Sequence, residues 1–150
     1  MASRYGLQIR AATSADAAGI VVLMDSVGCS ASGTAWTARL AALIPGEGAV
    51  LLADEWGPPT GLVALNWFRA LVTDHPVAQI STLVVRPEGR RRGVGRLLLK
   101  AAAQAARSAG CGELQLLTQG DDTTLLDFAD ASGFEPGNLI VRRSLRKSSK

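Results

Sequence analysis

Leu83-Val84-Val85-Arg86-Pro87-Glu88-Gly89-Arg90-Arg91-Arg92-Gly93-Val94-Gly95 is followed at once by an amphipathic stretch over residues 96–109. A β-branched run thus leads into a basic, glycine-bearing loop that opens a helix. Successive backbone N–H groups and the helix dipole converge on one spot there, and the anion expected is a phosphate. Gly93 and Gly95 carry no Cβ, so the main chain can approach a bulky diphosphate. Arg90, Arg91, Arg92 and Arg96 surround that spot with charge, either as bidentate donors or as a general positive field.

The helix is well specified. Val94, Leu97, Leu98, Ala101, Ala102 and Ala105 recur at i, i+3, i+4 spacing, Arg96, Lys100, Gln104 and Arg107 take another face, and Gly110 supplies the stop. One stripe is expected to pack on a sheet, leaving the N-terminus free for ligand. Two familiar nucleotide loops do not fit: Gly93-Val94-Gly95 lacks the third glycine of a dinucleotide site, and no Gly-Lys-Ser/Thr follows as in a Walker loop.

These residues resemble the GNAT superfamily of N-acetyltransferases, whose Gln/Arg-x-x-Gly-x-Gly/Ala signature is met by Arg90-Arg91-Arg92-Gly93-Val94-Gly95. The flanks agree, with Leu83 to Glu88 on the strand side and Leu97-Leu98-Leu99 on the helix side. Downstream, Asp127-Phe128-Ala129-Asp130-Ala131-Ser132-Gly133-Phe134-Glu135-Pro136 is similar to the family's C-terminal helix and closing Gly-Phe. The resemblance covers residues 80–141, and the N-terminal half matches by element order. It implies an acetyl-CoA co-substrate with its pyrophosphate on residues 91–96, contacted by Arg90, Arg91, Arg92, Gly93, Val94, Gly95 and Arg96. It also implies a splayed strand at Leu83, Val84 and Val85 whose main chain bonds the pantetheine arm as a neighbouring strand would.

Length and composition bound the alternatives. At 150 residues the chain is expected to form one domain over 1–150, with a basic, fraying tail at 146–150. Its 47% hydrophobic and 19% charged residues are those of a globular protein. Cys29 and Cys111 are too few for a disulfide framework and form no metal-ligand cluster, so no metal and a reducing compartment are expected. No leader pattern is read at the N-terminus, and no apolar run approaches the ~20 residues of a membrane span. The expectation is a cytoplasmic protein with no membrane partner. Basic residues gather at 86–96 and in the tail around a net charge of +3. Without interleaved aromatics, a helix-turn-helix pattern or zinc spacing, they do not indicate nucleic acid.

Along the chain, residues 7–10 read as a strand, and Thr13 or Ser14 caps a helix running to about Val27 with Asp16 in its first turn. A second helix is expected at 34–43, strands at 49–53, 61–68 and 77–85, then the 96–109 helix, a strand at 113–118, a helix at 123–132 and a last strand at 139–144. The order β-α-α-β-β-β-α-β-α-β is that of an α/β fold with a GNAT-like central mixed, mostly antiparallel sheet flanked by helices. Trp36, Trp56 and Trp67 are core candidates. Trp36 and the loop over 25–34 also lie where relatives contact the acceptor.

Acetyl transfer to an amine needs a neutral amine, a stabilised oxyanion and a thiolate able to leave. An alkyl amine near pKa ~10 is mostly protonated at pH 7, so its proton must be removed. A preorganised backbone N–H serves the oxyanion best, and the resemblance places it at Leu83. Strand periodicity puts Gln79, Ser81 and Leu83 on one face and Ile80, Thr82 and Val84 on the other. Gln79 and Ser81 stand where relatives often carry a glutamate base, and Ala129 stands four residues before Gly133 where they often carry a tyrosine acid. Gln79 and Ser81 can orient a water or an acceptor N–H without holding a proton. His75, Asp121, Asp122, Asp127 and Asp130 read as surface and capping residues.

The leading expectation is therefore an acetyl-CoA-dependent N-acetyltransferase acting on a primary amine of a small molecule or peptide. Direct attack in a ternary complex follows, because neither cysteine has a visible activating partner. The alternative is a non-catalytic CoA-sensing or partner-binding module of the same fold. A homodimer is compatible with either.

Overall fold

The computed structural model describes residues 6–90, 92–118, 122–137 and 140–147. Its elements are β1 (Gln8–Ala11), α1 (Ala17–Ser26), α2 (Gly33–Leu43), β2 (Gly48–Asp54), β3 (Gly61–Phe68), β4 (Val77–Val85), α3 (Val94–Ser108), β5 (Glu113–Leu116) and α4 (Thr123–Ala131). The five strands form one sheet in the order β1-β2-β3-β4-β5. Every pairing is antiparallel except that of β4 with β5. This is the mixed, mostly antiparallel sheet expected.

Local chemistry accounts for the elements. The Thr13 N–H donates to the Asp16 carboxylate at 2.8 Å and sets the short 3₁₀ turn that feeds α1. Ser32 caps α2 by accepting from the Ala35 N–H at 3.1 Å, and Asp122 caps α4 by accepting from the Leu125 N–H at 3.0 Å. In β3, Leu62, Val63, Ala64 and Leu65 are all buried, because helices cover both faces of the sheet at this central strand.

One core joins Val63, Leu65, Ala78 and Ile80 to Val94, Leu98, Leu99, Ala102 and Ala106 of α3. The buried stripe of α3 is thus rotated slightly from the expected one, with Leu99 and Ala106 in place of Leu97, Ala101 and Ala105. Gly61 makes the close approach of α3 possible, since a Cβ there would lie 2.8 Å from Leu98 Cδ1. The second core lies on the opposite face, where Ile20, Leu23, Met24 and Leu40 of α1 and α2 meet Val50, Leu52, Leu62 and Ala64.

Two expectations are corrected. Residues 140–144 form no strand, and Ile140 and Val141 are 58% and 83% exposed; Leu139 lies outside the described residues. The sequence Val141-Arg142-Arg143-Ser144 has no period-two pattern, so neither face of a strand there could bury a continuous apolar row. Trp56 is not in the core but 83% exposed. It occupies the turn between β2 and β3, where the chain crosses the surface. Among the described residues no helix is long and apolar enough to cross a membrane.

Candidate active site

The site begins where β4 loses a neighbour. β4 pairs with β3 along its whole length, but with β5 only from Val77 to Ile80, and the last contact is Leu117 N–H donating to Ile80 O at 3.0 Å. Over residues 81–85 no described strand covers the edge away from β3. The Arg86 N–H donates to Thr60 O at 2.9 Å, which fixes the phase of this end of the ladder. Bonding alternates along an antiparallel pair, so Val84 turns its N–H and C=O to β3 while Leu83 and Val85 turn theirs to the open edge. Arg90 Nε donates to Val85 O at 3.3 Å, a contact made on that open edge.

A bulge revises the side-chain reading of the strand. Ala64 pairs with Thr82 and Leu65 with Ile80, so Ser81 is the extra residue on β4. The insertion reverses which parity faces which layer. Ala78 and Ile80 face α3 before it and Leu83 and Val85 after it, while Thr82 and Val84 turn to the α1 and α2 side. Gln79, Ser81 and Leu83 therefore do not share a face as strict alternation would have it. Ser81 is exposed, with its hydroxyl donating to Ala64 O at a long 3.4 Å. Gln79 is held across the sheet, its Nε2 donating to Gln115 Oε1 at 3.0 Å, and Gln115 in turn donates to Glu113 Oε2 at 2.7 Å.

The chain then turns through a 3₁₀ segment at Pro87–Gly89 into α3. Gly93 is its N-cap with φ +78, a left-handed conformation that favours glycine. A Cβ at Gly93 would meet nothing within 4 Å. Gly95 serves packing instead, since a Cβ there would lie 3.1 Å from Phe128 Cζ of α4. The first helical bond is Leu97 N–H to Gly93 O at 3.1 Å, and among the described residues no side chain caps the helix. The N–H groups of Val94, Gly95 and Arg96 accordingly have no intrahelical acceptor, which is the donor set a phosphate requires.

The arginines are less uniform than a basic cluster suggests. Arg96 is exposed in the first turn of α3, and Arg91 lies outside the described residues. Arg92 makes a bidentate pair with Glu55, through Nη1 to Oε2 at 3.1 Å and Nη2 to Oε1 at 2.5 Å. Its charge is thereby partly spent inside the protein.

On the other face a cleft of about 510 Å³ opens between α1, α2 and the sheet, lined by Ile20, Met24, Trp36, Leu40, Val50, Leu62, Ala64 and Thr82, with Arg39, Ala42 and Leu43 also at it. The Arg39 guanidinium stands 4.9 Å from the Trp36 ring centroid, in cation–π range. Thr82 is the residue that strict alternation missed. The bulge carried it to this face, and a bulge has no simple sequence signal. Ala129 is buried in α4, whereas Asp127, Asp130 and His75 are exposed. Asp121 lies outside the described residues. Burial pushes the Cys111 thiol up, away from the thiolate a nucleophile needs.

Residues 28–134 match the acetyltransferase (GNAT) family. The chain is 27% identical over 93 residues to the mycothiol acetyltransferase of Nocardia farcinica, a match over 61% of this chain and 31% of that protein. It is 26% identical over 121 residues to the mycothiol acetyltransferase of Rhodococcus opacus, over 71% and 40%. The chain thus spans less than half the length of these curated relatives. The solved structure of an aminoglycoside N-acetyltransferase in complex with CoA superposes with a TM-score of 0.81 at 21% identity, covering 93% of this chain and 95% of that one, a likeness of fold. With the family match extending over most of the sequence and the sheet opening at the strand the motif implicates, this chain belongs to the GNAT acetyltransferase family.

Proposed function

We propose that the chain is an acetyl-CoA-dependent N-acetyltransferase that moves an acetyl group to a primary amine by direct attack in a ternary complex. The observation that carries this reading is the edge of β4 at residues 81–85 that no described strand covers, running into the start of α3, which no described side chain caps. The edge offers N–H and C=O groups at strand spacing to an extended amide-bearing arm, and the helix start offers to a diphosphate three N–H groups with no intrahelical acceptor. Leu83, Val84, Val85, Arg90, Arg91, Arg92, Gly93, Val94, Gly95 and Arg96 are the proposed donor-site residues. The roles differ: Leu83 and Val85 act through the open edge, Val84 supports it from the β3 side, and Arg92 is shared with Glu55.

Acetyl-CoA supplies an activated thioester. The amine nitrogen bonds to the acetyl carbon, the carbon–sulfur bond breaks, and the amine proton ends on the departing thiol. Leu83 N–H is the proposed donor to the charge developing on the acetyl oxygen. Ser81 and Gln79 are proposed to orient a water or the acceptor. The pairing of Gln79 with Gln115 supports a positioning role for it.

Free-thiol release over a panel of amines, beside calorimetry with CoA, tests the reading. Thiol release that requires an amine supports it, and failure of CoA to bind at millimolar concentration overturns it. One observation favours a second reading, a CoA-binding module without turnover. Gln79 is tied to Gln115 and Ala129 stands at the position implied for a tyrosine, so neither supplies an ionisable group. CoA binding without thiol release for any amine selects that reading.

A further inference from the structure

The cleft on the α1 and α2 face carries information about the acceptor, given that the chain transfers acetyl groups as proposed above. Its walls are almost wholly apolar: Ile20, Met24 and Leu40 from the helices, and Val50, Leu62 and Ala64 from the sheet. Among the described residues that line it none carries a carboxylate, and the only charged group is Arg39. Arg39 is exposed, lies over the Trp36 ring, and makes no ion pair with any described carboxylate. Thr82 connects the cleft to the stretch of β4 whose edge away from β3 no described strand covers. An amine held in the cleft therefore approaches the site from the side opposite α3.

Charge decides what such a cleft admits. A polycation would leave its second ammonium facing apolar walls and a guanidinium, with no carboxylate among the described lining residues to offset the lost hydration. A single amine on an apolar body loses little water and fills the space, and an anionic oxygen group on the same molecule finds the fork of Arg39. We infer that the acceptor is a monoamine on an apolar body that carries an anionic oxygen group at Arg39 and no second cation, a class to which apolar α-amino acids belong.

The same surroundings bear on the missing base. Apolar walls and a nearby guanidinium both disfavour an ammonium, so the amine enters the reaction neutral with less need of a carboxylate to take its proton. Replacement of a glutamate by Gln79 and Ser81 is then consistent with the acceptor, not only with loss of activity.

The test compares L-phenylalanine, phenylalaninamide and spermidine on the full chain with saturating acetyl-CoA, in wild type and in Arg39→Glu. Thiol release in the wild type should favour phenylalanine over spermidine by at least about tenfold in kcat/KM, with the amide between them. Arg39→Glu should lower the phenylalanine value about tenfold and bring the amide above it, the factor expected from one charge-assisted contact. Spermidine matching or exceeding phenylalanine in the wild type, or an Arg39→Glu variant with unchanged preference, overturns the inference while leaving acetyl transfer standing. A second readout does not depend on turnover. With CoA bound, the ¹⁵N-labelled indole resonance of Trp36, assigned by Trp36→Phe, should shift with phenylalanine and not with spermidine. If CoA binds and no amine releases thiol, the catalytic reading fails; the indole shift then still supports the acceptor class, and its absence overturns it.

Discussion

Gly93→Trp separates what the loop does for the fold from what it does for the ligand. Gly93 has φ +78 and ψ 12, and an L residue held in that left-handed region costs about 1–2 kcal/mol. A Cβ there would touch nothing within 4 Å, so no clash adds to that strain. For a chain of this size each kcal/mol lowers Tm by roughly 2–4 °C. A fall of about 2–8 °C is expected, with a cooperative transition retained. The indole would project into the space that the free N–H groups of Val94, Gly95 and Arg96 face. Each hydrogen bond to a charged phosphate is worth about 1.5–3 kcal/mol, so loss of even two weakens CoA binding by more than about 100-fold. Gly93→Ala is the control. It carries the same strain with little bulk, so its Tm should fall equally while CoA affinity drops less than about tenfold. Calorimetry with CoA beside thermal unfolding reads both quantities. A folded Gly93→Trp variant whose CoA affinity stays within twofold of wild type would refute the assignment of the diphosphate to this loop.

Leu98→Ala, at a fully buried position against Gly61, should cost about 3 kcal/mol in urea unfolding without moving any donor-site atom; a cost below about 1 kcal/mol would show that α3 packs on β3 differently. Arg10 holds Asp16 and Asp54 at 2.8 and 2.9 Å and lowers the Asp16 carboxyl from 3.8 to about 2. A lowered carboxyl stabilises the fold above its unfolded value and loses that contribution as pH falls from about 4 toward 2. With Arg10 one-third exposed, about 1–2 kcal/mol should disappear over that window, and Asp16→Asn should flatten this limb of the stability profile. Equal acid slopes in variant and wild type would contradict the network. Glu55→Gln should free the Arg92 guanidinium, tighten CoA binding by roughly two- to fivefold and steepen its dependence on salt. Weaker binding in that variant would mean that Glu55 positions Arg92 for the phosphate.

The parts of this fold legible in sequence are those set by local rules. The strands at Gly61–Phe68 and Val77–Val85 are bounded by proline- and glycine-bearing turns, and α3 combines an apolar stripe with a glycine on each side. Elements were harder to read where long-range pairing decides them. Residues 140–144 are apolar enough to suggest a strand, yet their pattern defines no face and they form no ladder. Trp56 is bulky and aromatic, but its turn holds it outside the sheet, where packing statistics for tryptophan do not apply. Within the site, glycine and helix-start rules point to the start of α3, the place proposed for the diphosphate. The Arg92 pair depends on Glu55, 37 residues away in sequence, and no local pattern announces such a contact.

The bulge at Ser81 has the widest consequence for function. A strict period of two assigns residues 79, 81 and 83 to one face, and every role given to side chains on β4 follows from that assignment. One inserted residue leaves the Leu83 main chain aimed at the open edge, moves the Leu83 side chain to the α3 core, and brings Thr82 to the cleft on the α1 and α2 face. The proposed main-chain role thus survives a slip that reassigns the side chains. A donor site built mainly from main-chain N–H and C=O groups requires only that β4 part from β5 and that α3 start uncapped. The side chains around such a site, Gln79 and Thr82 among them, are then free to vary, and the cleft that Thr82 lines is apolar, without carboxylates among its described lining residues.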